Sequence, residues 1–154
     1  MPNTLQDFLA AATKKSATEL VTALLRIPED KRGWSPDGKA RTALDQVAEC
    51  ALLNGYTADL IQTRKWAITN FEDFFREKTE VAAQDWEKTN ALLEENTRRL
   101  IDAIRAVPDE ALTVPIEMPW ETQSLAEVLD YPYWNMSYHQ GQINYIAALL
   151  GCLD

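Results

Sequence analysis

The stretch of this sequence richest in chemically capable side chains is YPYWNMSYHQGQINYIAALLG, residues 131–151, which contains His139, the chain's only histidine. In a helix, residues three and four apart share a face, so Asn135, His139 and Gln142 form one polar row. Amide and imidazole groups in such a row can hydrogen-bond a ligand or coordinate a metal ion. The row therefore predicts a binding face, or else a buried polar network whose members satisfy one another.

Aromatic side chains with polar tips flank this row, and such a lining is typical of a small-molecule pocket. The predicted pocket is lined by Tyr131, Trp134, Tyr138 and Gln142, with Tyr145 nearby. Gly141 lies between these residues, although glycine costs about 1 kcal/mol in a helix relative to alanine. We therefore expect another group, such as the backbone of a neighbouring helix, to pass close to Gly141.

A second candidate group is Glu49, which has Leu52, Leu53 and Tyr56 at helical spacing on its predicted helix. A carboxylate in such apolar surroundings is costly unless it meets a cation, a hydrogen-bond donor or a metal ion. If this helix crosses the helix of His139 near the middle of both, Glu49 faces the row of Asn135 and His139. The sequence thus predicts a shared polar site between two distant segments.

Helical periodicity dominates the rest of the chain, and no segment alternates as a half-buried strand would. Pro28 and Pro108 end two of the predicted helices, and hydroxyl caps at Thr42 and Ser124 begin the other two. Pro132 is expected to kink the last helix or divide it in two. The segment NFEDFFREKTEVAAQ, residues 70–84, is expected to be a link or a broken helical turn. The predicted helices cover residues 4–27, 42–69, 85–107 and 124–150.

The two halves of the chain resemble each other. LVTALLRIPED at 20–30 matches LIDAIRAVPDE at 100–110, and the caps at Thr42 and Ser124 follow at a nearly equal distance. This repeat predicts a pseudo-twofold four-helix bundle of two hairpin-like pairs, joined by links too long for tight turns. Two unrelated helical pairs with coincidental proline placement would be the alternative.

Composition narrows the range of functions. The chain of 154 residues fits one domain, 1–154, and carries 15 Lys and Arg against 24 Asp and Glu, a formal net charge of −9. Such a surface repels nucleic acids and anionic membranes, so we expect neither as a partner. Cys50 and Cys152 form no Cys-x-x-Cys pair, and the first residues do not follow a signal-peptide pattern. We therefore expect a cytoplasmic protein with reduced thiols.

The WSP loop at 34–36, ALDQVAECALLNG at 43–55 and YHQGQINYIAALLG at 138–151 resemble the DinB superfamily, and the resemblance covers essentially the whole chain. It implies an all-α four-helix bundle that commonly holds one divalent metal through three histidines. One histidine comes from the second helix, and two, four residues apart, come from the last. By position these ligands fall on Glu49, Asn135 and His139, so this chain has one imidazole where the family has three.

The resemblance implies two kinds of function, between which the sequence does not decide. One is a metal-dependent transferase using a low-molecular-weight thiol, or a hydrolase, with Zn, Ni or Mn at the three positions. The other is a metal-free bundle that binds a small molecule or serves as a structural or stress-associated protein. A homodimer is expected because many relatives are dimers. Whether the chain is an enzyme stays open, because a fold does not fix an activity.

Overall fold

The structure of the protein, a computed structural model, describes residues 4–154 and consists mainly of helices. Its two short strands, β1 and β2, form an antiparallel hairpin between the last two helices. Three short 3₁₀ turns lie in the links. The α-helices are α1 (Leu5–Leu25), α2 (Ala43–Thr63), α3 (Phe71–Ala82), α4 (Trp86–Arg105) and α5 (Leu125–Leu149), and the strands are β1 (Pro115–Glu117) and β2 (Thr122–Ser124).

Helices α1, α2, α4 and α5 form a four-helix bundle, which confirms the predicted fold class. The most extensive packing joins α1 to α5 and α2 to α4, while α2 also contacts α5 and α1 contacts α4. The consecutive helices α1 and α2 touch far less, so the expectation of two hairpin-like pairs is wrong. The long links at 26–42 and 106–124 carry the chain across the bundle ends. Exchanging the two halves would map this packing onto itself, but the pseudo-twofold relation stays a prediction.

Both predicted hydroxyl caps are present in the structure. Thr42 Oγ1 accepts a hydrogen bond from the backbone N–H of Asp45 at 3.1 Å and begins α2. Ser124 begins α5 with a complete capping box, in which the Glu127 carboxylate accepts from the Ser124 backbone N–H at 2.7 Å. These local bonds satisfy donors that the first turn of a helix leaves free.

The end of α2 and the continuity of α5 differ from the prediction. Helix α2 ends at Thr63 rather than near residue 69, because Arg64 adopts a left-handed conformation with φ of 61° and donates its N–H to the Leu60 carbonyl. No glycine marks this stop, so the pattern gave no signal for it. Helix α5 runs through Pro132 as a single element, since the missing N–H affects one bond and the ring is buried.

The segment expected to be a link, residues 70–84, instead contains helix α3, so that prediction is wrong. Asn70 caps the helix, and its buried residues Phe74, Lys78 and Val81 share one face against α2. That face has only two apolar side chains and one lysine among many charges, which hid the helical period. Their burial depends on α2 being present, which local sequence does not reveal.

The hairpin of β1 and β2 was also missed. Each strand has three residues, and Ile116 is the only buried one of these six. The turn closes with the Met118 N–H donating to the Glu121 carbonyl at 2.9 Å. Strands of this length are too short to show an alternating pattern, and Pro115 at the start further obscures it.

The apolar interior forms three clusters: two lie within the bundle, one towards each end, and the third lies where α2 packs against α3. A polar layer lies near the middle, where Asn54 donates to Thr97 Oγ1 at 2.9 Å and both side chains are buried. Within the described part of the chain, every helix is too short or too polar to span a lipid bilayer.

Two mid-helix glycines have opposite surroundings. A Cβ on Gly55 would lie 2.7 Å from Asn96 Nδ2, and this buried amide donates to the Ala51 carbonyl at 2.8 Å. A Cβ on Gly141 would have no atom within 4 Å, so the expected close approach at Gly141 is wrong. The close approach occurs at Gly55 instead, where α2 meets α4.

We therefore predict opposite effects for Gly55→Ala and Gly141→Ala. The first displaces Asn96 from its hydrogen bond and should lower the free energy of unfolding by about 1 to 2 kcal/mol, after the gain in helix propensity. The added Cβ of Gly141→Ala meets open space, so this variant should raise the free energy of unfolding by about 0.5 to 1 kcal/mol. Urea denaturation of the two variants checks this pair, and equal shifts would contradict the close approach at Gly55.

Candidate functional site

The polar site lies where α2 and α5 run past each other in opposite directions. His139 Nε2 lies 3.0 Å from Glu49 Oε1, so the two residues that the sequence placed on distant segments do meet. His139 is 3 % exposed, and the Glu49 side chain is 15 % exposed. The contact is therefore largely removed from water, where charge and hydrogen bonding act more strongly than at the surface.

Two glutamines hold the other nitrogen of the imidazole. Gln46 Oε1 and Gln142 Oε1 each lie 2.8 Å from His139 Nδ1. All three partner atoms of the ring, including Glu49 Oε1, are acceptors in this arrangement. The ring is thus held in one orientation from α2 and from its own helix.

The second oxygen of Glu49 binds an arginine from the link before α2. Arg41 Nη2 lies 2.7 Å from Glu49 Oε2, and Arg41 Nε lies 2.5 Å from Asp45 Oδ2. Lys78 on α3 adds a further ion pair, with Nζ 3.0 Å from Asp45 Oδ1. We call these five side chains, Lys78, Asp45, Arg41, Glu49 and His139, the ionic network. It joins α3, α2 and α5 through alternating charges.

The network keeps its carboxylate and guanidinium ionised. Burial alone would raise the pKa of Glu49, but the hydrogen bond from His139 and the charge of Arg41 outweigh it and lower that pKa. Burial likewise works against the charged form of Arg41, yet hydrogen bonds and charges from Asp45 and Glu49 raise its pKa. The pair therefore stays charged at neutral pH.

Asn135 lies beside the network and is turned away from it. Its Nδ2 contacts Cys50 Sγ at 3.8 Å, and the described residues show no hydrogen bond from Asn135 to Glu49 or His139. Asn135 therefore takes no part in the hydrogen bonds between Glu49 and His139, and its amide contacts the buried sulfur instead. Burial raises the pKa of Cys50, so this thiol stays protonated and is a poor nucleophile.

As arranged, the predicted ligand set does not fit a divalent metal ion. Both Glu49 oxygens and both His139 nitrogens already face partners in the protein, and the Arg41 cation adjoins the carboxylate. Within residues 4–154, no three His, Cys, Asp or Glu side chains converge as a metal-binding group. A dication at this position would have to displace Arg41 or His139 from Glu49.

The four predicted pocket residues do not line one common cavity. Tyr138 and Gln142 line a cleft of about 430 Å³ next to the ionic network, whereas Tyr131 lines a smaller cavity nearer the hairpin. Trp134 stacks on Tyr138 with ring centroids 5.4 Å apart and is 53 % exposed. We call the larger space the Arg41 cleft; its walls are Pro36, Ala40, Arg41, Gln46, Tyr138, Gly141, Gln142, Tyr145 and Ile146.

Sequence reasoning missed four polar residues of the site. Arg41, Asp45 and Glu49 follow one another at four-residue spacing, a signal that could have linked them. Gln46 lies one turn before Glu49 on the same helix. Lys78 interrupts the apolar face of α3, but that clue is visible only once the segment is known to be a helix.

Comparison with known proteins supports the fold. No family model and no curated protein sequence matches the chain. A similar solved structure is YfiT from Bacillus subtilis, described as a probable metal-dependent hydrolase with an unusual four-helix bundle topology. It has a TM-score of 0.81 and 15 % identity, and the match covers 98 % of this chain and 90 % of YfiT.

A second similar structure is a histidine-to-alanine mutant of the mycothiol-dependent maleylpyruvate isomerase. Its TM-score is 0.76 at 13 % identity, and the match covers 93 % of this chain but 61 % of the isomerase, so this chain spans about three fifths of that protein. The predicted DinB-like four-helix bundle is confirmed by these two likenesses. At such low identity they establish the fold alone.

We predict that Glu49→Gln lowers the free energy of unfolding by about 3 kcal/mol at neutral pH, because it removes the largely buried charge that pairs with Arg41 and contacts His139. The pKa of Glu49 is lowered in the folded protein, so its contribution is present above the unfolded pKa of about 4.3. This stabilising contribution is lost as the pH falls through the pKa that Glu49 has in the folded protein. The difference between parent and variant should therefore shrink as the pH falls below that unfolded value.

Urea denaturation at neutral and acidic pH measures this effect. Glu19→Gln is a suitable control, because its carboxylate is 43 % exposed and pairs only with Lys15 at 3.7 Å. That variant should change stability by at most about 0.5 kcal/mol. A loss in Glu49→Gln that stays equal from neutral to acidic pH would contradict a stabilising role for the Glu49 charge.

Proposed function

We propose that this protein binds a small molecule in the Arg41 cleft, and that the ionic network shapes the cleft without a metal ion. The observation that carries the proposal is the mutual pairing of Glu49, His139 and Arg41 beside an open cavity. Its volume of about 430 Å³ lies within the range of about 300 to 1,000 Å³ of small-molecule sites.

The walls of the cleft indicate the kind of ligand. Tyr138 and Tyr145 present aromatic rings, and Gly141 leaves the space above it open. Polar groups converge from Arg41, whose Nη1 has no hydrogen-bond partner within residues 4–154, and from the amides of Gln46 and Gln142. These features suit a flat, mainly apolar molecule with one polar or anionic group directed at Arg41.

His139 serves this site as a positioning residue. Its two nitrogens are engaged by Glu49 and by the glutamines, so it presents no free lone pair to the cleft. By fixing the carboxamides of Gln46 and Gln142, the imidazole leaves their N–H groups available for a ligand. A polar ligand group would then meet donors that are already oriented, which lowers the entropic cost of binding.

The alternative is the metal-dependent transferase or hydrolase with Zn, Ni or Mn that the family resemblance implies. YfiT, which has the same fold, is described as a probable metal-dependent hydrolase. This alternative is favoured by one observation: an imidazole nitrogen and a carboxylate oxygen lie 3.0 Å apart at two of the three positions that the family resemblance assigns to ligands. The isomerase similarity adds thiol-dependent chemistry to the same class. Cytoplasmic location, a homodimer and the absence of nucleic acid or membrane partners stay predictions.

Binding in the cleft can be tested with 8-anilinonaphthalene-1-sulfonate, a flat two-ring probe with one anionic group. We expect saturable fluorescence enhancement at one probe per chain. Gly141→Phe should weaken binding by about tenfold or more, because the added ring enters the open cleft. Gly141→Ala is the matched control and should bind within about twofold of the parent. Equal binding by both variants would contradict the cleft as the site.

Measuring the metal content of the protein distinguishes the metal-free proposal from the metal-dependent alternative. Protein purified without chelators should hold far less than one equivalent of Zn, Ni or Mn by elemental analysis. The triple variant Arg41→Ala, Glu49→His, Asn135→His should bind one Zn²⁺ per chain, because it restores three imidazoles and removes the competing cation. The double variant that keeps Arg41 should bind Zn²⁺ about tenfold more weakly than the triple. One equivalent of metal in the parent would contradict the metal-free proposal.

A further inference from the structure

A second, smaller cavity lies where the hairpin meets α2 and α5, and we call it the hairpin cavity. Its volume is about 190 Å³, and its walls are Thr57, Leu60, Trp66, Met118, Trp120, Gln123, Val128 and Tyr131. None of these eight residues carries a charge at neutral pH, and Leu60 and Val128 belong to the buried core. An apolar cavity of about 150 Å³ holds benzene, so this one has room for several carbon atoms.

The Arg41 cleft and the hairpin cavity lie at two points along the same groove between α2 and α5. These helices are antiparallel: Glu49 meets His139, and further along α2 Thr57 lines the hairpin cavity together with Tyr131. From Gly141 in the cleft to Tyr131 in the cavity, α5 advances ten residues, which is about 15 Å of helix. One extended molecule of that length therefore reaches both.

Aromatic rings connect the two cavities along the outside of α5. The ring centroid of Tyr131, in the wall of the hairpin cavity, lies 6.0 Å from that of Trp134. Trp134 stacks on Tyr138 at 5.4 Å, and Tyr138 is a wall of the Arg41 cleft. Because Trp134 and Tyr138 are 53 % and 52 % exposed, this aromatic strip is open to solvent along its length.

The aromatic strip also lacks charged side chains. From Tyr131 to Tyr145 the sequence contains no Asp, Glu, Lys or Arg, whereas the twenty residues of α4 contain eight. The carboxylate of Glu49, in the same groove, is already paired with Arg41 and His139. A long, exposed and uncharged apolar strip is typical of a surface that an apolar ligand or partner covers.

We propose that the ligand of the Arg41 cleft is a long-chain aliphatic acid whose unbranched tail runs along the aromatic strip and ends in the hairpin cavity. The anionic head pairs with Arg41, the chain lies over Trp134, and the last carbons enter the cavity. An extended alkyl chain is a flat ribbon, and extended dodecanoate is close to the length of this path. The inference rests on the function proposed above, because the head occupies the Arg41 cleft.

Chain length provides the test, with hexanoate, dodecanoate and hexadecanoate titrated below the concentrations at which they form micelles. Each methylene group that leaves water is worth about fourfold in affinity. Dodecanoate should therefore bind at least about fiftyfold more tightly than hexanoate, which is too short to reach the hairpin cavity. Hexadecanoate should gain at most about fourfold over dodecanoate, because its additional methylenes find the cavity already filled.

Nitrogen–proton correlation NMR measures these affinities and locates the tail through the indole N–H signals of the tryptophans, assigned with Trp→Phe variants. Dodecanoate should shift the signals of Trp134 and Trp120 saturably. Hexanoate should leave Trp120 unmoved, and Trp86, which lines neither cavity, should stay unmoved with both acids.

Two variants separate the tail site from the head site. Gln123 lies opposite the buried Ile116 in the hairpin and lines the cavity, so Gln123→Phe adds a ring there. This variant should weaken dodecanoate about tenfold or more and leave hexanoate within about twofold. Gln123→Ala is the matched control and should bind both acids within about twofold of the parent. Gly141→Phe, in the cleft, should weaken both acids by a similar factor.

Three results would overturn the proposed tail site. One is equal affinity of the folded parent for hexanoate and dodecanoate. Another is an undiminished gain per methylene up to hexadecanoate, which indicates adsorption without a defined end. The third is dodecanoate binding that Gln123→Phe does not change. If binding still responds to Gly141→Phe in these cases, the function proposed for the Arg41 cleft stands and only the tail is wrong. If Gly141→Phe changes the binding of neither acid, both proposals fail.

Discussion

A carboxylate enclosed between two helices must be met by donors or cations, and in this protein that requirement falls on Glu49. Its two oxygens are divided between the imidazole of α5 and the guanidinium of the link before α2. Through Asp45 the same set of charges reaches Lys78 on α3. One buried charge thereby helps to fix the positions of three helices and a link, and removing it would take a partner from both Arg41 and His139.

Much of this arrangement could be predicted from the sequence, because the signals were local. The caps at Thr42 and Ser124 depend on bonds within one turn, and the helical periods depend on spacing along each helix. The meeting of Glu49 with His139 followed from a carboxylate among apolar residues on one predicted helix and a polar row on another. Helix α3 and the hairpin depend on packing between distant segments, of which the local pattern carries no record. The role of Arg41 left a local signal, its four-residue spacing from Asp45 and Glu49, that the sequence analysis did not use.

The likeness to YfiT and to the isomerase shows the same fold at 15 % and 13 % sequence identity. A fold of this kind supplies two helices whose faces meet in a partly enclosed space, and the side chains placed there decide the chemistry. Here Glu49 and Asn135 stand where the resemblance places two histidines. The Arg41 guanidinium supplies positive charge beside the carboxylate, where the family resemblance implies a metal ion.

The connectivity of the bundle has a consequence for how the chain folds. Helix α1 packs most extensively against α5, and α2 against α4, so the main contacts of the first half are with the second. Proteins dominated by such distant pairings fold more slowly than bundles whose consecutive helices pair, because long loops must close before contacts form. During synthesis on the ribosome, α1 would wait for its principal partner until α5 has emerged. Until then its apolar face stays accessible to chaperones.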